Sequence, residues 1–241
     1  MSAYRKRTSN GTSYSNIYYL RNTLDRRRSV GMKTKEIKFG INGIFPTPVY
    51  QSFTIKKITE AESDFVEEQK SKVRKNEGNT ATLDTYVLEQ PVFKDLKNIL
   101  EQHLEVYLKN VICPLEENIK IYITQSWLNY TTVHQHHHIH SHGNSLLSGV
   151  FYFKADKKFD HIFFRRSSQP SLLSITSKEP NIYNIMDCKI SVDKAMLLIF
   201  PSSLLHYVGT KEDDNERVSL SFNTFVKGNI GHPHSLTQLK L

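Results

Sequence analysis

The clearest pattern along the chain is the series Phe93, Leu96, Leu100, Leu104, Tyr107, Leu108 and Val111. Apolar residues three and four apart share one helix face, so the spacing predicts an amphipathic helix over about 91–111, laid against a sheet. A more charged stretch, 58–73, puts Ile58, Ala61, Phe65 and Val66 near helical spacing, with Thr59 and Ser63 as candidate starts. Ahead of it, the apolar run 43–50 contains Pro46 and Pro48. Proline cannot donate to a ladder, which suits an edge strand. Residues 74–83 read as a polar loop and 86–88 as a short strand or turn. Beyond residue 118 the pattern changes to short runs of β-formers: Ile119 to Tyr130, then 147–154, 161–165, 182–187, 196–200 and 218–226. Polar loops separate them, and such a series predicts a sandwich or barrel.

Composition narrows the class. The chain has 241 residues, 38% of them hydrophobic, with 13 Phe and 12 Tyr, which excludes a wholly disordered chain. The length allows one large β domain, or a domain with extensions. Two cysteines, Cys113 and Cys188, exclude a disulfide framework. No apolar run reaches the roughly 18 residues of a membrane span, and no secretory signal is visible, so a soluble, reducing, cytoplasmic setting is expected. The net charge of +8 is not spread evenly. Residues 1–38 hold ten basic and two acidic side chains, leaving 22 of each for the rest. The excess therefore belongs to an N-terminal arm, 1–40, expected to be flexible alone and able to bind an acidic partner or nucleic acid; a solubilising tail is the competing reading.

The chemistry concentrates in one tract: His134, His136, His137, His138, His140 and His142. On a strand, residues two apart face the same way, so His140-Ser141-His142 can aim two imidazoles at one metal ion. A third ligand must come from elsewhere, and His206, just after the strand 196–201, is the candidate. His138 would point the same way but lie too far off to ligate. A His-rich loop also arises as adventitious metal affinity, which is the reading for His134, His136 and His137. Imidazole suits iron, zinc, copper and nickel alike, so residue type does not name the metal.

The surroundings are more specific. Ser126-Trp127-Leu128-Asn129 precedes the histidines, and Leu147-Ser148-Gly149-Val150-Phe151-Tyr152-Phe153 follows them. Then come Phe200-Pro201-Ser202, His206-Tyr207-Val208 and Arg217-Val218-Ser219-Leu220-Ser221-Phe222-Asn223. In this order they resemble the Fe(II)- and 2-oxoglutarate-dependent oxygenases, and among them the branch often encoded by tailed phages, from Ile44 to about Asn223. The resemblance implies a mainly β fold, a double-stranded β-helix or jelly roll with helices packed on one sheet. It implies a catalytic metal site of His140, His142 and His206 for Fe(II), with 2-oxoglutarate and O2 as cosubstrates. In most of the superfamily a carboxylate stands where His142 stands, and an all-histidine set carries one less negative charge. Asp156 and Asp160 lack the spacing to replace it. The cosubstrate's far carboxylate would lie on Arg217, with Ser219, Tyr152 and, by the same comparison, Tyr130 beside it. For Arg217 the competing reading is a surface ion pair with Asp213, Asp214 or Glu216; for Tyr152 it is plain core.

The sequence thus predicts an oxygenase domain over 41–228 followed by a C-terminal tail, 229–241. The expected activity is hydroxylation, with a protein or amino-acid side chain as the substrate class and, for a phage-encoded chain, the host cytoplasm as the setting. The alternative is a binding or structural jelly roll, a virion or assembly component, whose metal is vestigial or structural.

Overall fold

The computed structural model describes residues 40–168, 173 and 175–241. The basic arm predicted from the sequence lies outside the described residues as far as position 39. Residues Gly43–Leu241 form one compact unit.

The first part of this unit supplies a cover and an edge. Strand β1 (Tyr50–Ser52) is followed by α1 (Glu60–Glu68), a hairpin of β2 (Val73–Lys75) and β3 (Thr80–Thr82), and α2 (Lys94–Tyr107). Thr59 is the start of α1: its hydroxyl accepts from the Glu62 N–H, and the Glu62 carboxylate accepts from the Thr59 N–H. This reciprocal cap satisfies two donors that a helix start leaves free. A 3₁₀ turn, Pro91–Phe93, leads into α2, and a π-helical turn, Leu108–Ile112, closes it. The helical segment therefore spans the predicted stretch. Its Leu96, Leu100, Leu104 and Tyr107 are buried, each leucine contributing roughly 1.5–3 kcal/mol by leaving water.

The rest of the unit is β4 (Lys120–Thr131), β5 (His137–His140), β6 (Leu147–Lys154), β7 (His161–Arg165), β8 (Asp187–Ser191), β9 (Leu197–Pro201), β10 (Leu205–Val208) and β11 (Arg217–Lys227), then a small ribbon of β12 (Asn229–Ile230) and β13 (Leu239–Lys240). Two antiparallel sheets result. The larger is ordered β1-β9-β6-β11-β4-β3-β2 and the smaller β5-β10-β7-β8. From β4 to β11 the chain passes between the sheets, β7 and β8 staying together in the smaller one. That is the winding of a double-stranded β-helix.

Alternation assigns each residue of the larger sheet to a face. Leu128 and Tyr130, Phe151 and Phe153, Leu197 and Ile199, and Val218, Leu220 and Phe222 pack with α2 into one core. The opposite face looks toward the smaller sheet. There Val150, Tyr152, Leu198 and Phe200 meet Ile162 and Phe164 in a second, smaller core.

Three expected elements differ. Residues 74–83 are not wholly loop, because Val73–Lys75 pairs with Thr80–Thr82 at the far edge of the larger sheet. The strand expected at 182–187 lies at 187–191, where Cys188 and Lys189 pair with β7. The proline-bearing run 43–49 is no strand; only Tyr50–Ser52 adds to the sheet, at its edge against β9. Both cysteines are exposed and unpaired. Among the described residues, no helix is long and apolar enough to cross a membrane.

Gly149 marks the tightest point of the first core. A Cβ there would lie 2.1 Å from Cζ of Phe222, whose ring covers the glycine across the β6–β11 pair. We expect Gly149→Ala to destabilise by about 1–3 kcal/mol through overpacking, read as a lower Tm, and Phe222→Leu in the same chain to recover part of that loss. An unchanged Tm for Gly149→Ala would show that the ring moves aside freely.

Candidate active site

The inner face of the larger sheet carries a polar row that its outer face lacks. Trp127 and Asn129 of β4, Ser148 and Tyr152 of β6, and Arg217, Ser219 and Ser221 of β11 line one cavity. His137, His140 and His206 enter it from the smaller sheet, and His142 from the loop after β5.

The histidines meet because β5 and β10 pair with His140 opposite His206. His142 lies two residues beyond the strand, where its N–H donates to the Ser202 carbonyl at 2.9 Å. One nitrogen each of His140, His142 and His206 falls within 4.8 Å of the others, and Nε2 of His142 and His206 are 3.3 Å apart. Two imidazoles binding one ion at about 2.0–2.1 Å, at right angles, would stand roughly 3 Å apart. Their backbone contacts leave the right atoms bare. Nδ1–H of His140 donates to the His138 carbonyl at 2.8 Å and Nδ1–H of His206 to the Leu204 carbonyl at 2.9 Å. In a neutral imidazole the other nitrogen, Nε2, is then a lone-pair acceptor. Burial, reinforced by neighbouring histidines, holds the rings neutral: it pushes His206 down to about 3 and His142 to about 4, and lowers His140 as well. Three neutral rings, with Nε2 of His140 and His206 committed as lone pairs beside Nε2 of His142, suit a divalent transition metal.

A register shift brings in a residue that sequence spacing did not select. On β10, His206 opposes His140 and Val208 opposes His137, so Ile139 and His138 together face Tyr207. This extra residue is a bulge, and it turns His137 onto the cavity face beside His140. The two rings stack at 4.6 Å. Burial pushes His137 down to about 2, with the positive charge of Arg217 among the contributing causes. His138, which strict alternation would align with His140, instead lies half-exposed, its Nδ1 3.8 Å from the Glu77 carboxylate. His137, His138 and His140 form a second close group. It shares His140, whose single bare nitrogen can serve only one of the two sets.

Arg217 is 4% exposed. Its Nη2 donates to Thr131 at 3.1 Å. Among the described residues no carboxylate lies within salt-bridge distance of it: Asp213 pairs with Lys211, and Glu216 with Lys70 and Lys154. The surface ion pair considered from the sequence is thus absent. Lys211 itself is buried between Asp160 and Asp213, at 3.0 and 2.8 Å, which anchors the loop before β11. Burial lowers the Arg217 pKa, against the favourable charges of Tyr152, Asp160 and Asp213. Tyr152 is buried near it, and burial raises its phenol pKa, keeping it protonated. Ser219, opposite Tyr152 in the sheet, faces the same space. Tyr130 does not. It belongs to the opposite face of β4, in the core beneath the helices, with its hydroxyl donating to the Val66 carbonyl at 2.7 Å. One position along a strand reverses the face, and Asn129 occupies the cavity in its place. The Asn129 Oδ1 is buried without a partner.

Comparison with known proteins then sets this geometry beside a known family. Residues 125–223 match the family described as "Putative 2OG-Fe(II) oxygenase". The matched stretch runs from β4 into β11 and includes the three histidines and Arg217. HygX from Streptomyces hygroscopicus, solved with nickel and 2-oxoglutarate bound, shares the fold of this chain at a TM-score of 0.52 and 12% identity, over 74% of this chain and 82% of the other. A Pseudomonas putida prolyl-4-hydroxylase gives 0.51 and 11%, over 73% and 92%. The α-ketoglutarate-dependent epimerase SnoN from nogalamycin biosynthesis gives 0.53 and 9%, over 74% and 78%. No curated protein matches this chain by sequence.

The neutral histidines make a pH prediction. His142 and His206 titrate near 4 and 3 when folded but near 6.5 when unfolded. Between those values the unfolded chain binds more protons, so stability falls as pH drops from about 6.5 toward 4. Tm of the protein dialysed against chelator is expected to decline steadily between pH 7 and pH 5, before most carboxylates titrate. A flat Tm over that range would show that these rings are not held neutral.

Proposed function

We propose that this protein is a 2-oxoglutarate/Fe(II) oxygenase that holds Fe(II) on His140, His142 and His206 and binds 2-oxoglutarate with its far carboxylate on Arg217. The reaction proposed is hydroxylation of a C–H bond in a protein or amino-acid side chain. The observation that carries the reading is Arg217: a buried guanidinium with no carboxylate partner among the described residues, lining the same cavity as three converging neutral imidazoles. Burying a cation unpaired is costly, so the position makes physical sense where an anion completes it. A structural zinc ion needs no such anchor, which disfavours the reading of an inert binding module.

When bound, the iron supplies the oxidative chemistry that couples decarboxylation of 2-oxoglutarate, giving succinate and CO₂, to hydroxylation. The chain's part is selection and placement. Arg217 offers a planar pair of donors suited to a carboxylate, and Thr131 holds one end of it. Tyr152 and Ser219 offer hydroxyl donors to the same anion. The histidines add no negative charge, so the dianionic cosubstrate meets a more positive metal centre than a His₂-carboxylate set would provide. Trp127 and Asn129 form the wall beside His142, and the apolar Val150, Ile162 and Phe200 keep the floor dry. The substrate class rests on the resemblance to prolyl hydroxylases.

Succinate formation with Fe(II), ascorbate, O₂ and 2-oxoglutarate tests the activity. Calorimetry with Co(II) as a redox-stable stand-in tests the roles. Arg217→Ala is expected to weaken 2-oxoglutarate binding roughly ten- to hundredfold, as loss of a charge-assisted bidentate contact worth about 1.5–3 kcal/mol, while Co(II) affinity stays near wild type. His206→Ala should lose both. Undiminished 2-oxoglutarate affinity in Arg217→Ala would defeat the assignment, and tightly held zinc with no succinate would favour the structural alternative.

A further inference from the structure

His142 differs from His140 and His206 in what holds its second nitrogen. Those two rings donate Nδ1–H to backbone carbonyls, which commits Nε2 as a lone pair. Nδ1 of His142 instead faces the side-chain amide of Asn223, at 3.2 Å. An amide can present either its NH₂ or its oxygen, so its orientation is coupled to which nitrogen of His142 carries the proton.

Behind Asn223 runs a buried chain of hydroxyls. Ser148 lies 2.9 Å from the Asn223 Oδ1 and 2.9 Å from Ser202, Ser202 lies 2.7 Å from Ser145, and Ser145 donates to the Leu147 carbonyl at 3.0 Å. Ser148 and Ser202 are almost wholly buried, so bulk water does not serve them. The chain closes with the amide in either orientation, and only one of them frees Nε2 of His142. With the amide oxygen toward His142, Nδ1–H donates to Asn223 and the Asn223 NH₂ donates to Ser148. Ser148 then donates to Ser202, Ser202 to Ser145, and Ser145 to the carbonyl. Every group has a partner, and Nε2 of His142 is left as a lone pair 3.3 Å from Nε2 of His206. With the amide turned the other way, as the structure has it, the Asn223 NH₂ donates to Nδ1. The His142 proton then resides on Nε2, and the ring cannot ligate.

We propose that Asn223, backed by Ser148 and Ser202, is the positioning residue that makes His142 a metal ligand, its amide oxygen accepting from Nδ1–H when the ring holds the ion. This rests on the proposed metal site. Outer partners of this kind typically contribute ten- to hundredfold in metal affinity.

The test is Co(II) affinity by calorimetry on the full-length protein, with folding checked by Tm, together with the His142 Nδ1–H resonance of Zn(II)-loaded, ¹⁵N-histidine-labelled protein. Asn223→Leu is expected to bind Co(II) ten- to hundredfold more weakly and to lose the slowly exchanging Nδ1–H signal. Asn223→Asp, which can only accept, should restore both, a rescue that a mere packing role would not produce. Ser148→Ala, which removes one hydroxyl and little volume, should fall between. His142→Ala separates the two levels of inference. If it leaves Co(II) affinity unchanged, His142 is no ligand and the reading of the metal site fails with it. If His142→Ala weakens binding while Asn223→Leu binds as wild type, or Asn223→Asp binds as weakly as Asn223→Leu, only the role of Asn223 is overturned.

Discussion

The structure depends on the pairing of β11 along both of its edges. β11 lies between β4 and β6 in the larger sheet, and its ladder with β4 runs its full length, from Arg217 opposite Thr131 to Lys227 opposite Lys120. Bonded on both sides, the strand has no freedom to rotate, and its alternation becomes absolute. Val218, Leu220 and Phe222 are driven beneath the helices, while Arg217, Ser219, Ser221 and Asn223 face the second sheet. A slip of one residue would bury Arg217 under α2 and put Leu220 beside the histidines. The apolar face thus holds the polar face in register, and the stability of the outer core is what lets the inner face carry groups that contribute little to it.

Those inner groups are costly in a consistent way. Three imidazoles are kept neutral by burial, a guanidinium is buried without a carboxylate, and Asn129 has a buried oxygen without a partner. Each is a group that folding alone would rather expose. They share one cavity, and the two kinds of group complement one ligand: lone pairs at one end for a metal ion, a cation at the other for an anion. The charges that do find partners, such as Lys211 with Asp160 and Asp213, stand outside the cavity and secure the loop that leads into β11.

Much of this was legible in the sequence. The i, i+3, i+4 series of α2 and the apolar runs of β4, β6, β7, β9 and β11 are local periodicities, and burial on one face is enough to produce them. The weaker predictions fell where local pattern carries little force. The β2–β3 hairpin is three residues on each side and polar, and its pairing is decided by the neighbouring edge of β4. Strand β8 is half-exposed and pairs only with β7, so its composition does not mark its limits.

At the site, residue type alone said that the histidines and Arg217 could bind a metal and an acid. Their grouping was a matter of tertiary structure. His140 and His206 are opposed across a ladder between segments 66 positions apart, and no local rule sets that register. The bulge in β5 that brings His137 onto the cavity face has no signature in the run of histidines, because it belongs to the pairing with β10. Tyr130 and Asn129 differ in fate through a single step of alternation, fixed by where the helices lie. Asn223, Ser148 and Ser202 come from β11, β6 and just past the end of β9, and touch only when these three strands pair side by side in the larger sheet. The sequence by itself determined which faces would be apolar and which side chains could do chemistry, since both follow from residue type and spacing. Only the folded sheets decided which of them meet, because hydrogen-bond register between distant strands is a property of the pairing and not of either strand alone.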